Sequence, residues 1–203
     1  MGSEMCIRDR MNDFGTALIF FVAFLCIAFL RTGDLPSIVM ITAAAGFAGG
    51  IVLRFKPYVL ARVAVWRHAW EYAQEEGYQQ TRTMSAVASG GLFGAGPEEA
   101  WLKYVGAANT DLVFGVVSEE FGLLLALCAA AAVILLGIYA LRAAGRSRSS
   151  FYAIAACATA AMLVFQTTLN VLGSVDLLPL TGVTFPFVSM GGSSMLSCWG
   201  LLA

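Results

Sequence analysis

Three carboxylates stand where polar sequence gives way to apolar sequence. The run Asn109-Thr-Asp-Leu-Val-Phe-Gly-Val-Val-Ser-Glu-Glu-Phe-Gly122 puts Asp111 at the edge of an apolar segment and carries Glu119 and Glu120 into it. An acidic side chain within a lipid-embedded helix is costly, and by default it marks function. On one helix Glu119 falls about 80° round from Asp111 and Glu120 about 180°, both roughly 12 to 13 Å along the axis. The three therefore do not form a single acid–base dyad. Asp111 suits proton transfer at an aqueous surface. Glu119 and Glu120 suit buried polar contacts that order a helix bundle, as do Gln166 and Asn170, which interrupt a later apolar run.

Upstream lie Gly77-Tyr-Gln-Gln80 and Ser85-Ala-Val-Ala-Ser-Gly-Gly-Leu-Phe-Gly-Ala-Gly96. Glycine at this density allows a backbone to approach a ligand closely, and equally makes a flexible linker. Between Pro57 and Tyr72, Val59, Val63, Trp66 and Trp70 recur at helical spacing with Arg62 and Arg67 off the stripe. That pattern predicts a helix lying in the membrane interface, indoles at headgroup level. His68 reads as a surface residue.

The elements that must position these residues follow from composition. An apolar fraction of 59%, a mean hydropathy of +0.79 and 12% charged residues lie far from a soluble domain. Charge-free runs at Phe14–Leu30, Leu35–Leu53, Phe121–Leu141, Phe151–Val175 and Leu177–Ala203 each approach the ~20 residues a helix needs to cross a bilayer. The expected class is all-α, a polytopic transmembrane bundle. Residues 11–54 form a transmembrane hairpin, 55–111 an extracellular loop with the interfacial helix, and 112–203 further spans with a Pro/Gly-rich stretch, Leu178 to Gly192, before the last. Arg142, Arg146 and Arg148 place the turn between two spans in the cytoplasm, and alternation puts the 31–36 turn there too and the long loop outside. Residues 1–10 match nothing around them and read as a non-native artefact; with the last apolar run unfinished at Ala203, the chain reads as a fragment open at both ends. Cys26, Cys128, Cys157 and Cys198 lie in apolar runs without CxxC spacing, which indicates neither zinc nor a disulfide framework. A net charge of −1 gives no reason to expect nucleic acid.

Taken in order, Gly77-Tyr-Gln, Ser89-Gly-Gly-Leu-Phe-Gly-Ala-Gly96, Thr110-Asp-Leu-Val-Phe, Glu119-Glu-Phe-Gly122, Gln166-Thr-Thr-Leu-Asn170 and Leu178-Pro-Leu-Thr-Gly-Val-Thr-Phe-Pro-Phe-Val-Ser-Met-Gly-Gly-Ser-Ser194 closely resemble the FtsW/RodA/SpoVE (SEDS) family. Asp13-Phe-Gly-Thr16 resembles the segment entering that family's sixth helix, so the likeness covers about 12–203. It implies a ten-helix fold of which this chain holds the sixth to ninth helices and the start of the tenth, in the bacterial plasma membrane. It also implies polymerisation of lipid II, the undecaprenyl-pyrophosphate-linked disaccharide peptide, on the outer face, in division, elongation or sporulation. A class B penicillin-binding protein transpeptidase is the implied partner, and Asp111 matches the aspartate on which activity depends.

The sequence departs from the family pattern at Asn109, Val105-Gly-Ala107, Arg82 and Met190. For such a reaction a carboxylate must take the proton of the attacking hydroxyl, and cations must meet the pyrophosphate. Arg62, placed after Tyr58 as in the family, leads the cationic candidates, followed by Arg67, Arg82 and Lys103, with a divalent magnesium or manganese ion as the alternative. Gln79, Ser89, Gly90, Gly91 and Ser193 complete the candidate substrate-binding set, and membrane lipid surrounds the whole. Two rival functions stand beside it: a lipid II flippase or transporter, which would use the same lipid-binding groove and depend on intramembrane polar residues such as Glu119 more than on Asp111, and a non-catalytic scaffold that activates a transpeptidase.

Overall fold

The computed structural model describes residues 14–55 and 64–202, and within these the chain is helical and irregular with no strand. Helix α1 (Phe14–Thr32) and α2 (Leu35–Phe55) form the expected hairpin around Gly33 and Asp34. Later come α3 (Tyr78–Gly90), a 3-10 turn (Leu102–Tyr104), α4 (Val113–Phe121), α5 (Leu123–Ala144), α6 (Ser150–Ser174) and α7 (Gly192–Leu202). Gly15–Thr32, Leu123–Ala144 and Ser150–Ser174 are long and apolar enough to span a membrane, and Leu35–Ile51 is a shorter apolar helix.

Helix α6 is the centre of the assembly, packing along α5 and α1 and reaching α3 and α4. Its fit against α5 follows from a stripe of small side chains. Ala126, Ala130, Val133, Gly137 and Ala144 are the buried positions of α5, and a Cβ at Gly137 would come within 2.7 Å of Val164 on α6. In lipid, where apolar burial gives no drive between helices, such close backbone approach is what holds spans together. Val113, Phe114, Ala126, Ala130, Val133, Leu163, Phe185 and Cys198 make the largest buried cluster, joining α4, α5, α6, α7 and the segment before α7. The four cysteines within the described residues are free thiols.

Three expectations change. The apolar stretch after Asp111 is not one continuous helix: α4 stops at Gly122, whose φ of +92° no side chain tolerates cheaply, and α5 starts at the next residue in a new direction. The segment 55–111 is not simply an aqueous loop. Helix α3 buries Gln80, Thr81, Thr83 and Ala86, and Ala86, Leu102, Ala108, Leu112 and Val116 form a core of their own. The interfacial helix does not run to Tyr72 either, since residues 66–77 are turns. Arg67 takes a φ of +65° and Gly77 closes back on the Tyr72 carbonyl at 3.0 Å; residues 57–63 of that expected helix lie outside the described residues.

Between α6 and α7 runs an irregular segment, extended only between turns at 175–176 and 186–188, where Pro179 and Pro186 bar a continuous helix. It still enters the bundle. Val183 packs with Ile19 and Leu169, and Phe185, Pro186 and Ser189 are buried. Non-helical backbone at such a place must find its hydrogen bonds within the protein, and it does: Gln166 Nε2 donates to the Thr184 carbonyl at 2.8 Å, Asn170 Nδ2 to that of Val183 at 2.6 Å, and the Phe185 N–H to Ser189 Oγ at 2.7 Å.

Candidate active site around Asp111

Asp111 sits in the turn just ahead of α4 and is half-buried. Two segments hold its backbone. From α6, Asn170 Nδ2 donates to the Asp111 carbonyl at 2.9 Å. From the extended segment, Ser189 Oγ donates to the Thr110 carbonyl at 2.6 Å and the Met190 N–H to that of Asn109 at 2.9 Å. Its carboxylate stands over Gly182, where an added Cβ would lie 3.2 Å from Asp111 Oδ2. Gly182 has a φ of +71°, so glycine there meets both a conformational and a spatial demand.

The other two carboxylates differ. Glu119 is 1% exposed, and its two oxygens accept the main-chain N–H groups of Trp101 at 3.1 Å and Leu102 at 3.0 Å. It thereby ties the start of the 3-10 turn to α4. Glu120 is half-buried in the last turn of α4, and its carbonyl accepts the Gly96 N–H at 3.2 Å.

The glycine-rich stretch approaches the protein's own backbone rather than Asp111. Ala95 N–H bonds the Glu119 carbonyl at 2.8 Å, while Leu123 and Leu124 donate to the carbonyls of Gly91 and Leu92 at 3.0 and 3.3 Å. These bonds satisfy the last carbonyls of α4 and the first N–H groups of α5, which an abrupt elbow would otherwise strand. A Cβ at Gly90 would collide with the Ser118 carbonyl. Ser89, Gly90 and Gly91 thus lie at the far end of α4 from Asp111, about 13 Å away at 1.5 Å per residue.

Of the cationic candidates, Arg62 lies outside the described residues. The Arg67 N–H bonds Asp176 Oδ1 at 3.3 Å and its side chain is exposed. The Arg82 guanidinium carbon is 5.2 Å from the centroid of the Tyr78 ring and 5.8 Å from that of Trp101, which sets the cation against two aromatic rings. Lys103 Nζ donates to the Pro97 carbonyl and lies 5.5 Å from the Tyr104 ring. Gln79 Nε2 reaches the Gly106 carbonyl at 3.3 Å, in the turn that leads to Asp111. Ser193 is exposed in the first turn of α7, while its neighbour Ser194 pairs with Thr184 Oγ1 at 2.9 Å.

Among the described residues no three His, Cys, Asp or Glu side chains gather. The donor set around Asp111 therefore fits a magnesium-like ion only as one carboxylate shared with substrate phosphates and water, a common mode for that ion. Gly182 and Ser189 escaped the sequence reading as partners of Asp111. Both belong to the segment Leu178–Ser194 that was singled out, but nothing local to it reveals the pairing with residues 109–111.

The sequence profile of a family described as cell cycle protein, FtsW/RodA/SpoVE, matches residues 5–203. The peptidoglycan glycosyltransferase RodA of Mycobacterium leprae (strain TN) is 34% identical over 195 residues, spanning 95% of this chain and 41% of the relative. A probable peptidoglycan glycosyltransferase FtsW of Tolumonas auensis is 33% identical over 191 residues, spanning 91% of this chain and 50% of the relative. The chain thus spans about half the length, or less, of these curated relatives. A solved chain from work on the structural coordination of polymerization and crosslinking by a peptidoglycan synthase complex shares the fold, with a TM-score of 0.72 at 23% identity over 93% of this chain and 53% of that one.

Proposed function

The chain belongs to the FtsW/RodA/SpoVE family of cell cycle proteins, and from that premise we propose that it carries the catalytic aspartate of a peptidoglycan glycosyltransferase that polymerises lipid II. One observation supports this over the flippase and scaffold readings. Of the acidic groups entering the bundle, Glu119 is buried deep in it and accepts two main-chain N–H groups, whereas Asp111 is half-buried where three segments meet. In the proposed reaction the 4-hydroxyl of one sugar attacks the anomeric carbon of another. The bond from that carbon to the undecaprenyl pyrophosphate breaks, and the hydroxyl proton passes to the Asp111 carboxylate. Arg82, Arg67, Lys103 and Arg62 are the cations proposed to meet the departing pyrophosphate, or a magnesium or manganese ion shared between it and Asp111. The test is the intact protein, reconstituted with a class B transpeptidase and labelled lipid II. Glycan ladders on a gel are expected, and lipid II translocation without ladders would favour the flippase.

The site is proposed to face outward. The ends of α6 differ: Asn170 and Gly173 touch the Asp111 turn and Gln80, whereas the arginine turn 142–148 lies at the other end of α5, about 33 Å away along 22 residues. In a cysteine-free background, Glu75→Cys should react with a membrane-impermeant thiol reagent in intact cells and Ser147→Cys should not. The opposite pattern reverses the topology.

Gly182→Ala should lower polymerisation about tenfold, because the new methyl displaces the Asp111 carboxylate by a few tenths of an ångström. A left-handed alanine should also cost about 1 to 2 kcal/mol of stability. Turnover per folded molecule, measured beside thermal stability in detergent, separates the two effects. Unchanged turnover would show that the carboxylate does not need Gly182 clear.

A further inference from the structure

Asn170 is 3% exposed, and its Oδ1 is the buried side-chain atom among the described residues that has no hydrogen-bond partner. Its nitrogen, by contrast, is fully used. Nδ2 donates to the Asp111 carbonyl at 2.9 Å and to the Val183 carbonyl at 2.6 Å. Those two acceptors fix the amide's orientation, since a flipped amide would set oxygen against two carbonyl oxygens. An orphan acceptor in a buried place is unfavourable, so what this side chain contributes here comes through its two donors.

Of its polar neighbours on α6, neither Thr167, Ser174 nor Gln166 bridges both segments. Thr167 and Ser174 return their hydroxyls to their own helix, at the carbonyls of Leu163 and Asn170, each at 2.8 Å. Gln166, one turn earlier, grips the extended segment at Thr184. Asn170 both grips that segment, at Val183, and reaches the turn that carries Asp111.

We propose that Asn170 is a positioning residue whose amide clips the Asp111 turn to the extended segment and so sets where the Asp111 carboxylate stands relative to Gly182. The proposal rests on the reading of Asp111 as proton acceptor. A residue of this kind acts on turnover and leaves the substrate's own contacts alone.

The experiment uses the intact protein with two variants. Asn170→Asp is nearly isosteric but replaces the donor by an oxygen, and Asn170→Ala removes the amide. Both should lower kcat for glycan polymerisation by about 10²-fold, in line with the sensitivity of bound groups to small misplacement, while KM for lipid II stays within about threefold of wild type. Gln166→Ala, which loosens the extended segment without touching Asp111, should lower kcat less than either.

A second measurement does not need turnover. With Asn109→Cys and Met190→Cys in a cysteine-free background, oxidative cross-linking reports the register of the two segments, whose backbones bond at 2.9 Å. Adding Asn170→Ala should slow that cross-linking about tenfold. Wild-type kcat in Asn170→Asp, or a loss confined to KM, overturns the proposal. So does failure of both variants to accumulate in the membrane, which would make Asn170 a folding residue. If the wild-type protein yields no ladders, the polymerase reading fails by itself, and the clip is then judged by cross-linking: slower in Asn170→Ala sustains it, and unchanged overturns it.

Discussion

Asp111→Asn should leave the protein folded and abolish glycan polymerisation. The substitution preserves side-chain size, and three anchors of this turn run through main-chain atoms: Asn170 bonds the Asp111 carbonyl, Ser189 that of Thr110 and Met190 that of Asn109. Changing the carboxylate to an amide therefore leaves the anchors in place and removes a proton acceptor. Loss of one well-placed general base costs about 10²- to 10⁴-fold in rate, or roughly 3 to 5 kcal/mol of transition-state stabilisation. Binding of lipid II should survive, since on the proposed reading cations would meet the pyrophosphate and the apolar faces of the helices the polyprenyl chain. The measurement is ladder formation from labelled lipid II by the reconstituted variant, with abundance and lipid II binding recorded beside it. Ladders of undiminished intensity remove Asp111 as the base; lost binding would make it a ligand for substrate.

What the sequence made legible was whatever is written locally. Apolar runs located α1, α2, α5 and α6, the arginine turn at 142–148 marked one end of the bundle, and the motif strings pointed to the family. Contacts between distant segments were not legible. Thr83 and Ser118 are polar by type, yet both are buried with their hydroxyls bonded to the carbonyls of Gln79 and Phe114 on their own helices, a device that hides polarity inside a packed interface. For that reason the stretch around α3 reads as aqueous loop although it folds onto the bundle. The glycines of 90–96 announced a close approach without saying to what, and the answer is the elbow at Gly122. In the same way Asp111 was recognisable, whereas its contacts with Asn170 and Gly182 arise only when the chain closes on itself.

Glu119→Ala should remove the protein from the membrane rather than merely silence it. Glu119 is 1% exposed, and its oxygens accept the N–H groups of Trp101 and Leu102, the latter fully buried. Removing the carboxylate strands both donors, and two hydrogen bonds to a charged acceptor are together worth about 3 to 6 kcal/mol. The loss spreads in a definite direction. Leu102 belongs to the core with Ala86, Ala108, Leu112 and Val116, so the turn leading to Asp111 loosens, and Trp101 carries the ring beside the Arg82 guanidinium. Glu119→Gln keeps one carbonyl oxygen as acceptor and sets an NH2 group against the other donor, so it should lose about half as much. Abundance and thermal stability should therefore fall in the order wild type, Gln, Ala, with activity per folded molecule in the Gln variant close to wild type. Normal abundance of Glu119→Gln together with abolished polymerisation is the contrary result; it would make Glu119 a participant in proton transfer and shift the chemistry about 13 Å along α4 from where Asp111 stands.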